Sequence, residues 1–153
     1  MDTLTDNEAR QILERAPVAH IGVISDGEPY VTPMSFVVDG DRLLFRTKPG
    51  KRLSAIQDNP RVCVEVSEYD EETGDWTSVL IMGEAREATD GETVQRTLEL
   101  LFDKYREALG SPLGRGELQP LAAFPRVIEV SIEEITGRAS GGPFGVRTRP
   151  GRL

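Results

Sequence analysis

Residues 18–47 read VAHIGVISDGEPYVTPMSFVVDGDRLLFRT, and the punctuation of this stretch decides the fold. Three strand-forming runs, VAHIGVIS, YVTPMSFVV and RLLFRT, are separated by Asp26-Gly27-Glu28-Pro29 and by Asp39-Gly40-Asp41. Both separators are strong turn signals, so the reading is three strands joined by tight turns. Turns this short leave no room for the crossover helix that a parallel pair needs, which disfavours a parallel dinucleotide-binding fold.

Upstream, Thr5-Asp6-Asn7-Glu8 has the form of a capping box and opens a short helix that runs to about Ala16. Downstream, KRLSAIQDN predicts a helix of about two turns, stopped where Pro60 restricts the residue before it. Two more strands follow, PRVCVEVSEY and DWTSVLIMGEAREA, parted by the polar turn Asp70–Gly74. Along the first of these, Val62, Val64 and Val66 point one way and Cys63 and Glu65 the other. Val94, Leu98, Leu101, Phe102, Tyr105 and Leu109 then recur at helical spacing up to Gly110, a C-cap candidate, and form a stripe for core or dimer packing. Residues 111–125 are rich in Gly, Pro and Leu and read as an irregular connection, before a last strand, RVIEVSIEEITG. About six strands in hairpin succession, with one helix in front and a longer one inserted late, predict a mainly β domain. It is expected to be an antiparallel barrel-like sheet with flanking helices, its closure removing strand edges. The domain is expected to span residues 1–138 and to be followed by a basic, glycine-rich tail over 139–153.

Composition bounds the function. A chain of 153 residues with 38% apolar content suits one compact core. No segment approaches the roughly 20 apolar residues of a membrane span, and the N-terminus is acidic and polar where a signal peptide is basic and then apolar. These features predict a soluble, cytoplasmic chain. The single cysteine, Cys63, cannot form an internal disulfide and reads as a small, at least half-buried side chain. The net charge of -8 argues against nucleic acid and against an anionic membrane surface as partners.

Within this acidic chain, FRTKPGKRLSAIQDNP (45–60) gathers Arg46, Lys48, Lys51 and Arg52 around a Pro-Gly turn. Cations at a helix start oppose the macrodipole, and a bound anion reverses the sign of that argument. Thr47 and Ser54 offer hydroxyls, the helix start offers free N–H groups, and Lys51 and Arg52 offer charge, a combination that suits a phosphate monoester. The alternative is a solvated helix N-terminus. The spacing is not that of a P-loop.

Gly22 to Phe36, GVISDGEPYVTPMSF, is followed by LLFRTKPGKRLSAIQDNPRVCVEV and then by Trp76-Thr77-Ser78-Val79 with Gly83-Glu84-Ala85. Taken together, these runs resemble the FMN-binding split-barrel family, the pyridoxamine 5′-phosphate oxidase-like proteins, nearest its nitroimidazole-reductase-like branch. The resemblance covers residues 4–88 well and the final strand loosely. It implies a six-stranded antiparallel split β-barrel that works as a homodimer, with FMN held between subunits. It also implies a phosphate site at Arg46, Thr47, Lys51 and Arg52. The flavin ring would then lie along Val31, Thr32, Pro33, Met34 and Ser35, chiefly on backbone groups. The chain departs from the family at two places. Arg46 stands where the nitroimidazole reductases usually have a histidine, and the tail GVRTRPGRL has arginines but lacks the histidine of the true oxidases, so the oxidase reaction is not supported.

Other residues carry less. His20, the one histidine, reads as a hydrogen-bonded structural imidazole on the first strand. With one His and one Cys, a zinc site would have to rest on carboxylates, and metal is set aside. Trp76 is expected at the dimer interface or over the barrel end, and it is a further candidate for contact with the flavin. Asp70, Glu71 and Glu72 read as a solvated turn, and Arg147, Arg149 and Arg152 as a tail that either stays free or reaches a partner subunit. The expectation is therefore an FMN-dependent oxidoreductase acting on a small organic molecule with NAD(P)H as donor, the flavin itself supplying most of the chemistry. Its rivals are a deazaflavin (F420) or haem in the same groove, and a cofactor-free binding module. The last would need exposed aromatics beside a basic groove, and aromatics make up only 6% of this chain.

Overall fold

The computed structural model describes residues 2–109 and 126–141. In chain order its elements are β1 (Asp2–Thr3), α1 (Asp6–Arg15), β2 (Ala19–Ser25), β3 (Glu28–Met34), β4 (Val37–Asp39), β5 (Arg42–Thr47), α2 (Lys51–Asp58), β6 (Arg61–Tyr69), β7 (Trp76–Ala88), α3 (Gly91–Lys104), α4 (Arg106–Leu109) and β8 (Arg126–Ala139). Every ladder is antiparallel, in the order β3-β2-β6-β7-β8-β5-β4 with β1 added on β8. Six strands have six residues or more, and the two- and three-residue β1 and β4 bring the described sheet to eight. This is the mainly β split-barrel architecture, with one difference from the expectation. The sheet does not close, and β3 and β4 are left as its two ends.

Local chemistry accounts for the elements. Asp26 and Gly27 have φ of 51° and 78°, so a two-residue type I′ turn closes the β2–β3 hairpin on the pair Ser25–Glu28. At the head of α1, the Thr5 hydroxyl accepts the Glu8 N–H at 3.2 Å and the Glu8 carboxylate accepts the Thr5 N–H at 3.1 Å. The alternation in β6 buries Val62, Val64 and Val66 and turns Cys63 and Glu65 outward. The periodic stripe after β7 is interrupted at Tyr105, which caps α3 with φ of -104° and ψ of 23° and whose hydroxyl donates to the Pro17 carbonyl at 2.8 Å, and α4 follows as a separate turn. β8 continues through Arg138 and Ala139, which pair with Thr3 and Asp2. The connection over 111–125, the Gly110 cap and the tail beyond 141 lie outside the described residues.

The core fills the concave side of the curled sheet. Ala9, Ile12 and Leu13 of α1 and Leu53, Ala55 and Ile56 of α2 pack there on the inward residues of β2, β5, β6, β7 and β8, around Phe36 and Phe45. A smaller cluster of Val37, Leu44 and Leu101 holds α3 on the outer side of β4 and β5. No described helix is long and apolar enough to cross a membrane.

Candidate functional site

The site forms where the sheet is open. Arg52, in the first turn of α2, donates from Nε to the Thr32 hydroxyl of β3 at 3.1 Å and from a terminal nitrogen to the Thr47 hydroxyl of β5 at 3.4 Å. One guanidinium therefore touches both sides of the split. Thr47 is buried, and its hydroxyl donates in turn to the Lys48 carbonyl at 3.1 Å. The Lys51 ammonium rests over the Tyr30 ring at 4.6 Å.

These cations differ from most of the others among the described residues. Arg10, Arg15, Arg42, Arg61, Arg86, Arg96, Arg106 and Arg126 each sit against an aspartate or glutamate. Among the described residues, no carboxylate pairs with Arg46, Lys48, Lys51 or Arg52. Burial pushes the Arg46 and Arg52 guanidinium groups below their ordinary value, which marks positive charge partly stripped of water and left without a counter-ion. The helix repeats the anomaly. α1 and α3 carry acids in the first turn and a base in the last, as the macrodipole favours. α2 has Lys51 and Arg52 at its head and Asp58 at its end, with no side-chain cap on its free N–H groups. Cationic side chains, hydroxyls and an uncapped helix start thus converge on one corner suited to an anion.

The structure separates some of the predicted residues. Alternation along β5 turns Thr47 inward with Leu43 and Phe45, while Arg46 shares the α3 side with Arg42 and Leu44. Arg46 is therefore close in sequence to the hydroxyl cluster and on the other face of the strand. Ser54 is exposed, its N–H taken by the Gly50 carbonyl. Along β3, Thr32 and Met34 face inward, Val31 and Pro33 face outward, and Ser35 lies just past the strand end. Trp76 is three ladders from Thr32 (Thr32 to Ile21, Ile21 to Val64, Val64 to Ile81) and then five residues along β7, so a single chain does not bring it to this corner. Tyr30, under Lys51, is a contact that charge and hydroxyl counting passes over. The alternation Tyr30-Val31-Thr32 carries the signal for it, because it places Tyr30 beside Thr32 on the inner face.

Residues 5–139 match the sequence profile described as pyridoxamine 5′-phosphate oxidase. The chain belongs to that family. A family relative in Rhizobium meliloti (strain 1021), itself uncharacterised, is 26% identical over 145 residues, covering 90% of this chain and 93% of that protein. Among solved structures, an FAD-binding protein of Mesorhizobium loti superposes with a TM-score of 0.74 at 25% identity, over 90% of this chain and 96% of that one. A candidate 5-nitroimidazole antibiotic resistance protein of Bacteroides thetaiotaomicron superposes with a TM-score of 0.75 at 21% identity, over 90% of this chain and 86% of that one. The likeness to the Bacteroides structure is one of fold. Across the family match, the open split between β3 and β5 is where this chain concentrates its unpaired cations.

Proposed function

We propose that this chain binds FMN at the split and works as an oxidoreductase on a small organic molecule, with NAD(P)H as electron donor. The observation that carries the reading is the half-buried Arg52, which has no carboxylate partner and bridges Thr32 and Thr47. In this reading Arg52, Lys51, Thr47 and the N–H groups at the head of α2 hold the phosphate dianion. Lys51 leaves the Tyr30 ring to do so, and β3 lies alongside the ring system. Arg46, on the other face of its strand, adds long-range positive potential. The bound flavin would supply the two-electron redox chemistry, and the chain's own part is to fix its phosphate, orient its ring and limit access of water. FAD is the second reading, favoured by the Mesorhizobium loti protein, and the same cluster would take the phosphate nearest its flavin.

A homodimer belongs to the proposal. The convex face of β3, β2, β6 and β7 exposes Val31, Ile24, Leu80 and Met82, and Val31, Gly22, Cys63 and Met82 form one row across it. A second copy covering this face would remove that apolar surface from water. The test is a visible spectrum of the purified protein before and after FMN, followed by anaerobic addition of NADH or NADPH. A flavin spectrum that is retained on desalting and bleached by the nicotinamide is expected. Absence of retained flavin would overturn the reading.

A further inference from the structure

β2 turns His20 onto the convex face of the sheet, its side chain 49% exposed. The ladders set it in a row across that face, from Pro33 of β3 through His20 to Glu65 of β6 and Leu80 of β7. Its Nδ1 stands 3.6 Å from one Glu65 oxygen, and the other oxygen accepts from the Ser78 hydroxyl at 2.9 Å. This is the chain's one histidine, the side-chain type whose charge changes between about pH 5 and about pH 8. The row lies beside that of Val31, Gly22, Cys63 and Met82, within the face assigned above to a second copy.

The other charged and titratable groups on this face are Arg61, Cys63 and Tyr69 of β6, Glu84 of β7, and Glu133, Glu134 and Arg138 of β8, while β3 turns Pro29, Val31 and Pro33 outward. Arg61 pairs with Glu84 and Glu133. With the imidazole neutral, the carboxylates on the face outnumber the guanidinium groups, and a two-fold contact sets that negative excess against its own image. It also buries the Glu65 carboxylate beside an uncharged ring. A proton on His20 answers both, making the pair neutral as a whole and reducing the excess. Stripping water from an imidazolium works the other way, but the carboxylate beside it outweighs that, because the alternative is a lone buried carboxylate. We infer that association of two copies through this face takes up protons at the His20–Glu65 pair, so that the dimer tightens as pH falls from about 8 to about 6. The dimer then holds more protons than two separate chains, and the species with more bound protons gains as pH falls. The inference rests on the homodimer proposed above and adds its regulation.

The test measures the dimer dissociation constant of the full chain, labelled at its N-terminus, by fluorescence-detected sedimentation over a dilution series from micromolar to picomolar between pH 6 and pH 8. Wild type is expected to dissociate roughly tenfold less readily at the lower pH. His20→Gln should change by less than about twofold, and Glu65→Gln should flatten or reverse the trend. Because there is one histidine, its imidazole NMR signal is read without assignment, and it should titrate at higher pH in concentrated, dimeric protein than in dilute protein. A wild-type dimer whose dissociation ignores pH, or a trend that survives in His20→Gln, would overturn the inference and leave the dimer standing. A wild-type chain that is monomeric across the whole range would overturn both.

Discussion

Arg52 and Lys104 are both cations whose surroundings oppose their charge, and they lead to different expectations. Arg52 keeps its charge and seeks an anion. Lys104 lies against the Phe36 ring at 3.8 Å and donates to the Phe36 carbonyl at 2.9 Å, with burial pushing it down to about 8 from 10.5. Between those two values the unfolded chain holds a proton that the folded chain has released. This group's contribution to stability therefore rises with pH across that window. Lys104→Met has nothing to titrate there. In urea unfolding from about pH 7 to about pH 10.5, the wild-type stability is expected to gain on the variant's as pH rises, and parallel curves would place Lys104 at its ordinary value.

At the scale of elements, β7 and β8 form the longest ladder of the described sheet, which shifts register between Met82 and Gly83. A Cβ added at Gly83 would stand 1.9 Å from the Ser131 carbonyl oxygen, a backbone atom with no room to give. Gly83→Ala is expected to cost about 2 kcal/mol or more in urea unfolding. Gly91, with open space around it in the first turn of α3, is the control, and Gly91→Ala should be neutral or stabilising by up to about 1 kcal/mol. The same elements show what a sequence reveals. Asp26-Gly27 and the valines of β6 announce a turn and a buried face through local chemistry. β1 is two residues with no alternation to read, and the stripe from Val94 to Leu109 does not announce the break at Tyr105, whose hydroxyl bond to Pro17 spans a long stretch of sequence. At the site, charge and hydroxyls point to Arg52 and Thr47. The bridge between β3 and β5 is a tertiary fact, whereas the separation of Arg46 from Thr47 is already implied by reading RLLFRT as a strand, in which neighbours point to opposite faces.

For the whole molecule, the net charge of -8, with Lys51 and Arg52 free of carboxylate partners beside the split, describes an acidic protein that has a positive corner among its described residues. The long-range field therefore repels polyanions, while the corner still takes a small phosphorylated ligand. The convex apolar face predicts a dimer of the 16.9 kDa chain by light scattering. Leu80→Glu, on that face, should shift the mass to the monomer with far-UV circular dichroism unchanged; an unaltered dimer would place the interface elsewhere. The claim that joins these scales is that Arg52 anchors a flavin phosphate across the split. It is tested most directly by titrating wild type and Arg52→Ala with FMN and with riboflavin, which lacks the phosphate. Wild type should prefer FMN, and Arg52→Ala should lose roughly 1–3 kcal/mol of FMN affinity while its riboflavin affinity barely changes. Equal binding of the two flavins by wild type, or an FMN affinity indifferent to Arg52, would contradict it.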